Sequence, residues 1–463
     1  DELGQVRARQ AVTSERSVEP LLSAVIAFGR EIEFRTRQPT HDLAELRQAI
    51  DSIEEDESGV EHVFQAIQQA VARYRRLQTS TPRSPGRRIM LVVFSDEVGD
   101  DQSRLDSTVH VCRREEIPVY VVGVPAPFGM SETLVKWVDP NPEFDQAPRW
   151  GRVNQGPESL LPEVPRLKFA DDWAEIPTMD SGFGPFALTR LCVETGGIYF
   201  TVHPNRKTDR PVGFWETSTY AAHLQYFFPP RVMRKYRPDY VSATDYVAAL
   251  KHHPIRGALV QASRESWLAP MSSPQRRFVV RDEAAFALEL TEAQKEAARL
   301  EPSIMRLYSV LSAAEKHRPR EATPRWQAGY DLAMGRVLAL KVRTEAYNET
   351  LALAKRGLRP TEPRNNTWTI APSDDVVVGG SLKSQAQSAR EYLQRVMDEH
   401  PETPWAVLAG RELRIPFGWS WTDSYTPLEP EPEMVAENGN ASPRDDQRRM
   451  LTRPKPTRPV PRL

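Results

Sequence analysis

Apolar positions in the first half of the chain switch between two spacings. Residues 21–28 (LLSAVIAF) form a continuous apolar run of strand length, and residues 31–36 alternate, with Gly29-Arg30 as a tight connection. That pattern predicts an antiparallel strand pair. Over 40–53 the spacing lengthens: Leu43, Leu46, Ile50 and Ile53 share one helix face, with Thr40 placed to cap it. A second helix is predicted over 58–74 with Val60, Val63, Phe64, Ile67, Ala70 and Val71 as its stripe, followed by a Pro/Ser loop at 79–86. Residues 89–94 (IMLVVF) are apolar at every position, the pattern of a central strand covered on both faces. A helix over 105–115, a strand over 119–124, a helix over 186–195 closed by Gly196-Gly197 and a strand over 198–202 complete an alternating α/β order.

Between the strands at 119–124 and 198–202 lies a long excursion, 125–184, holding Trp137, Trp150, Trp173 and many prolines. Its aromatic residues are expected to form a core of their own. From about 206 onward the period is helical: 243–250, then 282–317 and 324–356 as an antiparallel pair, then 383–399 and 403–413 as a shorter pair. The connection 358–381 contains one strand-like piece, 376–378. Residues 427–463 carry alternating charge and repeated proline with few large apolar side chains, and are expected to be disordered.

Composition narrows the function classes. The chain has 463 residues, 61 basic and 63 acidic side chains and a net charge of −2, with 40% apolar and 27% charged residues. The balance argues against a general nucleic-acid binder, which needs a basic excess. No apolar run reaches the roughly 18 residues of a membrane-spanning helix. Cys112 and Cys192 cannot form a disulfide framework or a zinc site, which leaves two buried thiols or one bridge. The chain opens on Asp1 without an initiator Met or leader, so it reads as a fragment or processed chain, and its compartment stays open.

Candidate chemistry sits where the strand at 89–94 ends. Ser95, Asp96 and Glu97 fall at its carboxyl end, with Asp100 and Asp101 shortly after. In an open α/β sheet this rim is where ligands bind, and clustered hydroxyl and carboxylate oxygens suit a hard divalent cation. The chain has no Gly-x-Gly-x-x-Gly after a strand, no phosphate loop, no nucleophile elbow and no His-Glu-x-x-His. His252-His253 is the one histidine cluster, and adjacent residues point apart.

Five segments in order (LLSAVIAFG with DLAELRQAIDSI, GVEHVFQAIQQAV, IMLVVFSDEVGDD, CRREEIPVYVVGV and LTRLCVETGGIYF) resemble a von Willebrand factor A domain across about the first 205 residues. The chain looks similar to bacterial proteins, familiar from planctomycetes, that join such a domain to a helical half; SGFGPF and EHPETPWAVLAGREL fit that group. The resemblance implies a metal-ion-dependent adhesion site for Mg²⁺ or Mn²⁺, made from Asp-x-Ser-x-Ser, a Thr and the Asp of a Thr-Asp-Gly turn. Here Ser95-Asp96-Glu97 occupies the turn, Glu61 stands at the Thr position, and the Asp-x-Ser-x-Ser strand is absent. The resemblance therefore implies about 30 or more residues upstream of Asp1, and little or no metal binding by the chain as it stands.

The expected fold is a doubly wound, Rossmann-like α/β domain over 1–205 that lacks its first strand and carries the 125–184 insertion. An α-helical region follows over 206–426, with a tetratricopeptide-like terminal helix pair, and then the tail at 427–463. The expected function is non-catalytic, adhesion-type protein–protein interaction. Asp96, Glu61 and Ser95 are candidate metal ligands of a degenerate site, and Glu97, Asp100 and Asp101 are candidate contacts for an unidentified protein partner. Trp405, Trp419 and Trp421 are candidate anchors in the helical half, with packing between helices the stronger expectation for Trp405. The alternatives are a scaffold acting through its helical half and a metal-assisted hydrolase. The family resemblance suggests the cell envelope or secretion.

Overall fold

The computed structural model describes residues 21–54, 56, 58–81, 85–167, 177–268, 274–374, 379–427 and 455–461. The chain divides into two compact units, one comprising Asp1–Leu91, Val98–Val119 and Pro461–Leu463, the other Val92–Glu97 and Tyr120–Val460.

In the first unit β1 (Ile26–Phe28) and β2 (Ile32–Phe34) pair antiparallel, Ile26 opposite Phe34, as their alternation predicts. Helix α1 (Leu43–Asp51) starts later than expected. Asp42, not Thr40, caps it, its carboxylate accepting the Ala44 N–H at 2.8 Å. The apolar stripe of α1 is not buried: Leu43 is 69% exposed and Ile50 55%, and only Ala49 is covered. A 3.6-residue period fixes which side chains share a face, not whether anything covers it. Helix α2 (Val63–Tyr74) does bury its predicted face, with Val63, Phe64, Ile67, Ala70 and Val71 inside. It packs on α3 (Leu105–Arg114), where Gln68 donates to both Ser107 and Thr108 hydroxyls at 2.9 Å.

The second unit begins with β3 (Leu91–Ser95) and β4 (Val119–Gly123). The excursion then forms an antiparallel hairpin, β5 (Glu132–Trp137) and β6 (Arg149–Asn154). Helix α4 (Phe186–Thr195) and β7 (Tyr199–Thr201) follow. Gly196 ends α4 in the left-handed region (φ +83°), the conformation a helix-terminating glycine supplies at least cost. The sheet order is β3-β4-β7, with β7 parallel to β4. Strand β3 departs from its reading as a doubly covered central strand. It is an edge, and although Val93 is buried, Val92 is 47% and Phe94 69% exposed.

The rest of the second unit is mainly helical: α5 (Pro230–Met233), α6 (Ala243–His252), α7 (Pro254–Leu268), α8 (Glu283–Ala314), α9 (Pro324–Ala354), α10 (Gly380–Glu399) and α11 (Pro404–Leu413). Asp282 caps α8 through the Ala285 N–H at 2.7 Å, Pro324 opens α9, and Thr403 caps α11. Helices α8 and α9 run antiparallel: Tyr330 donates to the Leu311 carbonyl near one end and Gln294 to the Asn348 carbonyl near the other. Helix α9 is covered on nearly all sides, so its charges are paired: Arg325 with Glu158 and Glu163, Arg318 with Asp331, and Arg343 with Glu412. The excursion therefore does more than fold on itself. Leu167 joins the helical core, and Arg336 takes the carbonyls of Pro165 and Leu167 at 3.0 and 2.9 Å.

A second three-stranded sheet, unforeseen in the sequence, joins β8 (Arg277–Val279), β9 (Thr367–Ser373) and β10 (Gly418–Ser424) in the order β10-β9-β8. It absorbs the aromatic run near 420. Trp419 is buried and donates to the Arg343 carbonyl at 2.9 Å, while Trp421 packs on Phe278 and Trp368. Trp419 is therefore an interior side chain and not an exposed anchor, while Trp421 is half-buried against the sheet. Trp405 lies between Phe128 and Tyr236, in keeping with its expected packing role. Trp173 and residues 376–378 lie outside the described residues. So do 428–454 of the expected disordered tail, but 455–461 are described, and Lys455 to Arg458 bond to the turn after β5. Among the described residues no helix is long and apolar enough to cross a membrane.

Candidate interaction site at the acidic loop after β3

The loop from Ser95 to Asp101 divides its residues between the two units. In the second unit Ser95 closes a local turn: its hydroxyl donates to the Glu97 carbonyl at 2.8 Å and accepts the Glu97 N–H at 3.2 Å. Asp96 is exposed beyond the end of β3, and Glu97 is half-buried. Behind them the Tyr199 hydroxyl donates to the Val124 carbonyl at 2.8 Å. Burial first, and then the nearby Cys192, Tyr240 and Asp96, push the Tyr199 phenol far above its ordinary range. A side chain at Gly184 of SGFGPF would collide with the Tyr199 ring, so that glycine allows the ring to sit here.

In the first unit Glu61, Asp100 and Asp101 come together at the start of α2. Asp100 N–H donates to the Glu61 carbonyl at 2.8 Å, and the Glu61 N–H returns a bond to the Asp100 carboxylate at 3.1 Å. Asp101 is buried and accepts the Phe64 and Gln65 N–H groups at 3.1 and 2.7 Å. It supplies the cap that His62 does not, and places a negative charge at the helix N-terminus. Gly99 reaches this arrangement with φ +85°, where any side chain would press on Val63. Asp101 is thus a structural acceptor reached from 36 to 37 positions away, a role its place in an acidic loop does not announce.

Asp101 spends both oxygens on backbone N–H groups, Asp100 spends one on Glu61, and the Ser95 hydroxyl is held by Glu97. In neither unit, among the described residues, do three or more His, Cys, Asp or Glu side chains cluster as metal ligands. His252 and His253 are both exposed. Cys112 and Cys192 are free, buried thiols, which burial pushes to about 11 and about 12. That matches the two-thiol reading of the sequence, not the bridge.

Acids raised by burial lie elsewhere, within the second unit. Burial raises Glu163 against the pull of Arg325 and a bond from Tyr246, and raises Asp180 to about 6 against a bond from the Gly182 N–H. Glu163 is locked between Arg325 at 2.6 Å and Tyr246 at 2.8 Å with almost no exposure, so it has bonding partners but no access for a substrate. On the outside of α10 an open groove of about 470 Å³ is lined by Gln387, Arg390, Glu391, Gln394, Arg395 and Asp398, among others.

Residues 23–141 match the family model of the von Willebrand factor type A domain, roughly a quarter of the chain. No curated protein and no solved structure matches. The chain therefore contains a von Willebrand factor type A domain, a module associated with protein-interaction and adhesion-type roles. The match ends at Asn141, inside the excursion and short of the 205 residues over which the sequence shows its resemblance.

Proposed function

We propose that this protein is a non-catalytic, adhesion-type binding protein whose metal-ion-dependent site is degenerate, and whose exposed carboxylate at Asp96, with Glu97 beside it, contacts a basic surface of a protein partner. The domain match over 23–141 carries this reading. Two observations support it. Asp96 is exposed at the end of β3, and within the first unit Asp101 has both carboxylate oxygens on backbone N–H groups while Asp100 has one there. An exposed carboxylate can pair directly with Lys or Arg across a wet rim, and such pairing acts mainly on association rate and is screened by salt.

The test is capture of partner by the immobilised intact 463-residue chain, compared with an Asp96→Ala/Glu97→Ala chain, with and without a chelator. The reading expects the double variant to lose most of the captured partner, the chelator to change nothing, and raised salt to weaken capture. Unchanged capture by the double variant sinks it.

The groove on α10 favours a second reading, a scaffold that binds through its helical part. A Glu391→Ala/Gln394→Ala chain that loses capture while the Asp96 variant keeps it would replace the first reading with this one.

A further inference from the structure

The last described segment, residues 455–461, is a short proline-spaced stretch, Lys-Pro-Thr-Arg-Pro-Val-Pro. It makes side-chain-specific contacts with the turn that links β5 to β6. Arg458 donates to both oxygens of Asp139, at 2.7 and 2.9 Å. The Asp139 side chain is fully buried. The guanidinium also lies 5.1 Å from the Phe144 ring centre and 5.9 Å from that of Trp137, and Arg149 stacks on the same Trp137 at 4.6 Å. Hydrogen bonds to backbone carbonyls fix the segment's register. Asp145 N–H donates to the Pro456 carbonyl at 3.0 Å, Lys455 Nζ to the Pro142 carbonyl at 2.6 Å, and Arg149 to the Arg458 carbonyl.

Each part of this pocket has a recognisable chemical purpose. A buried carboxylate needs a cationic partner, and the only other one beside Asp139 among its described contacts is Arg149, at 3.8 Å and too far for a hydrogen bond. Burial opposes the Asp139 charge, but the Arg458 guanidinium and the Asn141 N–H hold its carboxyl below the usual range. Planar, forked donors and flanking aromatic rings select arginine over lysine. Prolines at 456, 459 and 461 limit the backbone freedom that docking would otherwise have to remove.

We propose that residues 137–149 form a recognition site for an arginine set between prolines, and that residues 455–460 are its tethered occupant, which closes the site to other peptides of the same chemistry. A tethered ligand acts as an internal competitor at roughly millimolar effective concentration. If the free segment binds at about 100 μM or tighter, that competitor weakens an outside peptide by about tenfold or more.

The test uses a fluorescent peptide with the sequence of residues 454–461, titrated into the intact wild-type chain and the intact Arg458→Ala chain, with binding read by anisotropy. The proposal expects saturable binding to the Arg458→Ala chain and at least about tenfold weaker binding to the wild type. A peptide with lysine in place of Arg458 should bind the Arg458→Ala chain at least about fivefold more weakly than the arginine peptide, since an ammonium cannot bridge both carboxylate oxygens. Asp139→Asn added to the Arg458→Ala chain should abolish binding; if that variant fails to fold, the lysine peptide decides. The site is refuted if the Arg458→Ala chain does not bind, if it and the wild type bind within threefold of each other, or if the lysine peptide binds equally well. Light scattering that shows the wild-type chain, but not Arg458→Ala, doubling in mass with concentration would overturn the tethered arrangement in favour of exchange between copies.

Discussion

Replacing Arg325 by Met removes the cation that pairs directly with two buried acids. Arg325 Nε donates to Glu163 at 2.6 Å and Nη2 to Glu158 at 3.1 Å, and none of the three side chains is more than 3% exposed. Two charge-assisted hydrogen bonds at about 1.5–3 kcal/mol each give about 3–6 kcal/mol. This agrees with the roughly 3–5 kcal/mol cost of breaking a buried ion pair from one side. A loss near 4 kcal/mol is a large part of the roughly 5–15 kcal/mol that holds a typical domain together. At about 2–4 °C per kcal/mol it should lower the second unit's melting temperature by roughly 8–16 °C. Calorimetry and urea titration followed by tryptophan fluorescence measure it, Trp405 being a nearby reporter 5.4 Å from the guanidinium. Two internal checks follow. Changing Glu158 and Glu163 to Gln alongside Arg325→Met removes the stranded charges, so the triple variant should recover most of the loss. The single variant's deficit should also shrink as pH falls from 8 to 5. Burial already raises Glu163 against the pull of Arg325, and without that pull the folded state binds a proton more readily than the unfolded one, so stability falls as pH rises. A deficit under 1 kcal/mol, or one that is the same at both pH values, would refute the argument that these charges depend on one another.

Asp180 should behave as a smaller version of the same effect, with Arg206 at 3.9 Å as its more distant counter-charge. One of its oxygens has no hydrogen-bond partner, and burial raises it from 3.8 to about 6, so stability should decline as pH climbs through that interval, by about 3 kcal/mol in total; Asp180→Asn should flatten the stability–pH profile. Asp101→Ala should cost about 1–2 kcal/mol through loss of the α2 cap, with faster amide exchange at Phe64 and Gln65 as the direct readout. Cys112 and Cys192, buried and held mostly as thiols, should resist iodoacetamide at pH 8 in the native chain and react once urea is added; rapid native labelling would contradict their burial.

Where a side chain's fate is decided by neighbours close in sequence, the pattern was readable. Helix α4 and its Gly196 end, the α8–α9 pair and the caps at Asp282 and Thr403 follow from local spacing and local hydrogen bonds. The β9–β10 pairing carried a readable period of two, with Trp368 and Ile370 facing in as Trp419 does, but prolines, asparagines and the charged tail around those strands obscured it. Long-range electrostatics left no trace in sequence. The charges of α9 look like those of a solvated face, and they are buried because acids scattered from Glu158 to Glu412 meet them. The acidic loop misled for the same reason. Nothing local separates an aspartate that stands in solvent from one that caps a helix 36 positions earlier, so Asp101 resembles Asp96 until the fold is known. Coverage was equally hidden: α1 and β3 have the apolar pattern of buried elements and leave Leu43 and Phe94 in solvent.

The bonds between the excursion and α9 bear on how this chain can be cut, recombined or inherited. A boundary near 205, natural from the α/β-to-helical change in pattern, would sever Arg325 from both of its acids and Arg336 from the carbonyls of Pro165 and Leu167. The helical half is thus no cassette to be lifted out and joined to a new neighbour. It travels with at least residues 158–167, and a gene rearrangement that parted them would yield a protein with stranded interior charges before any question of binding arose.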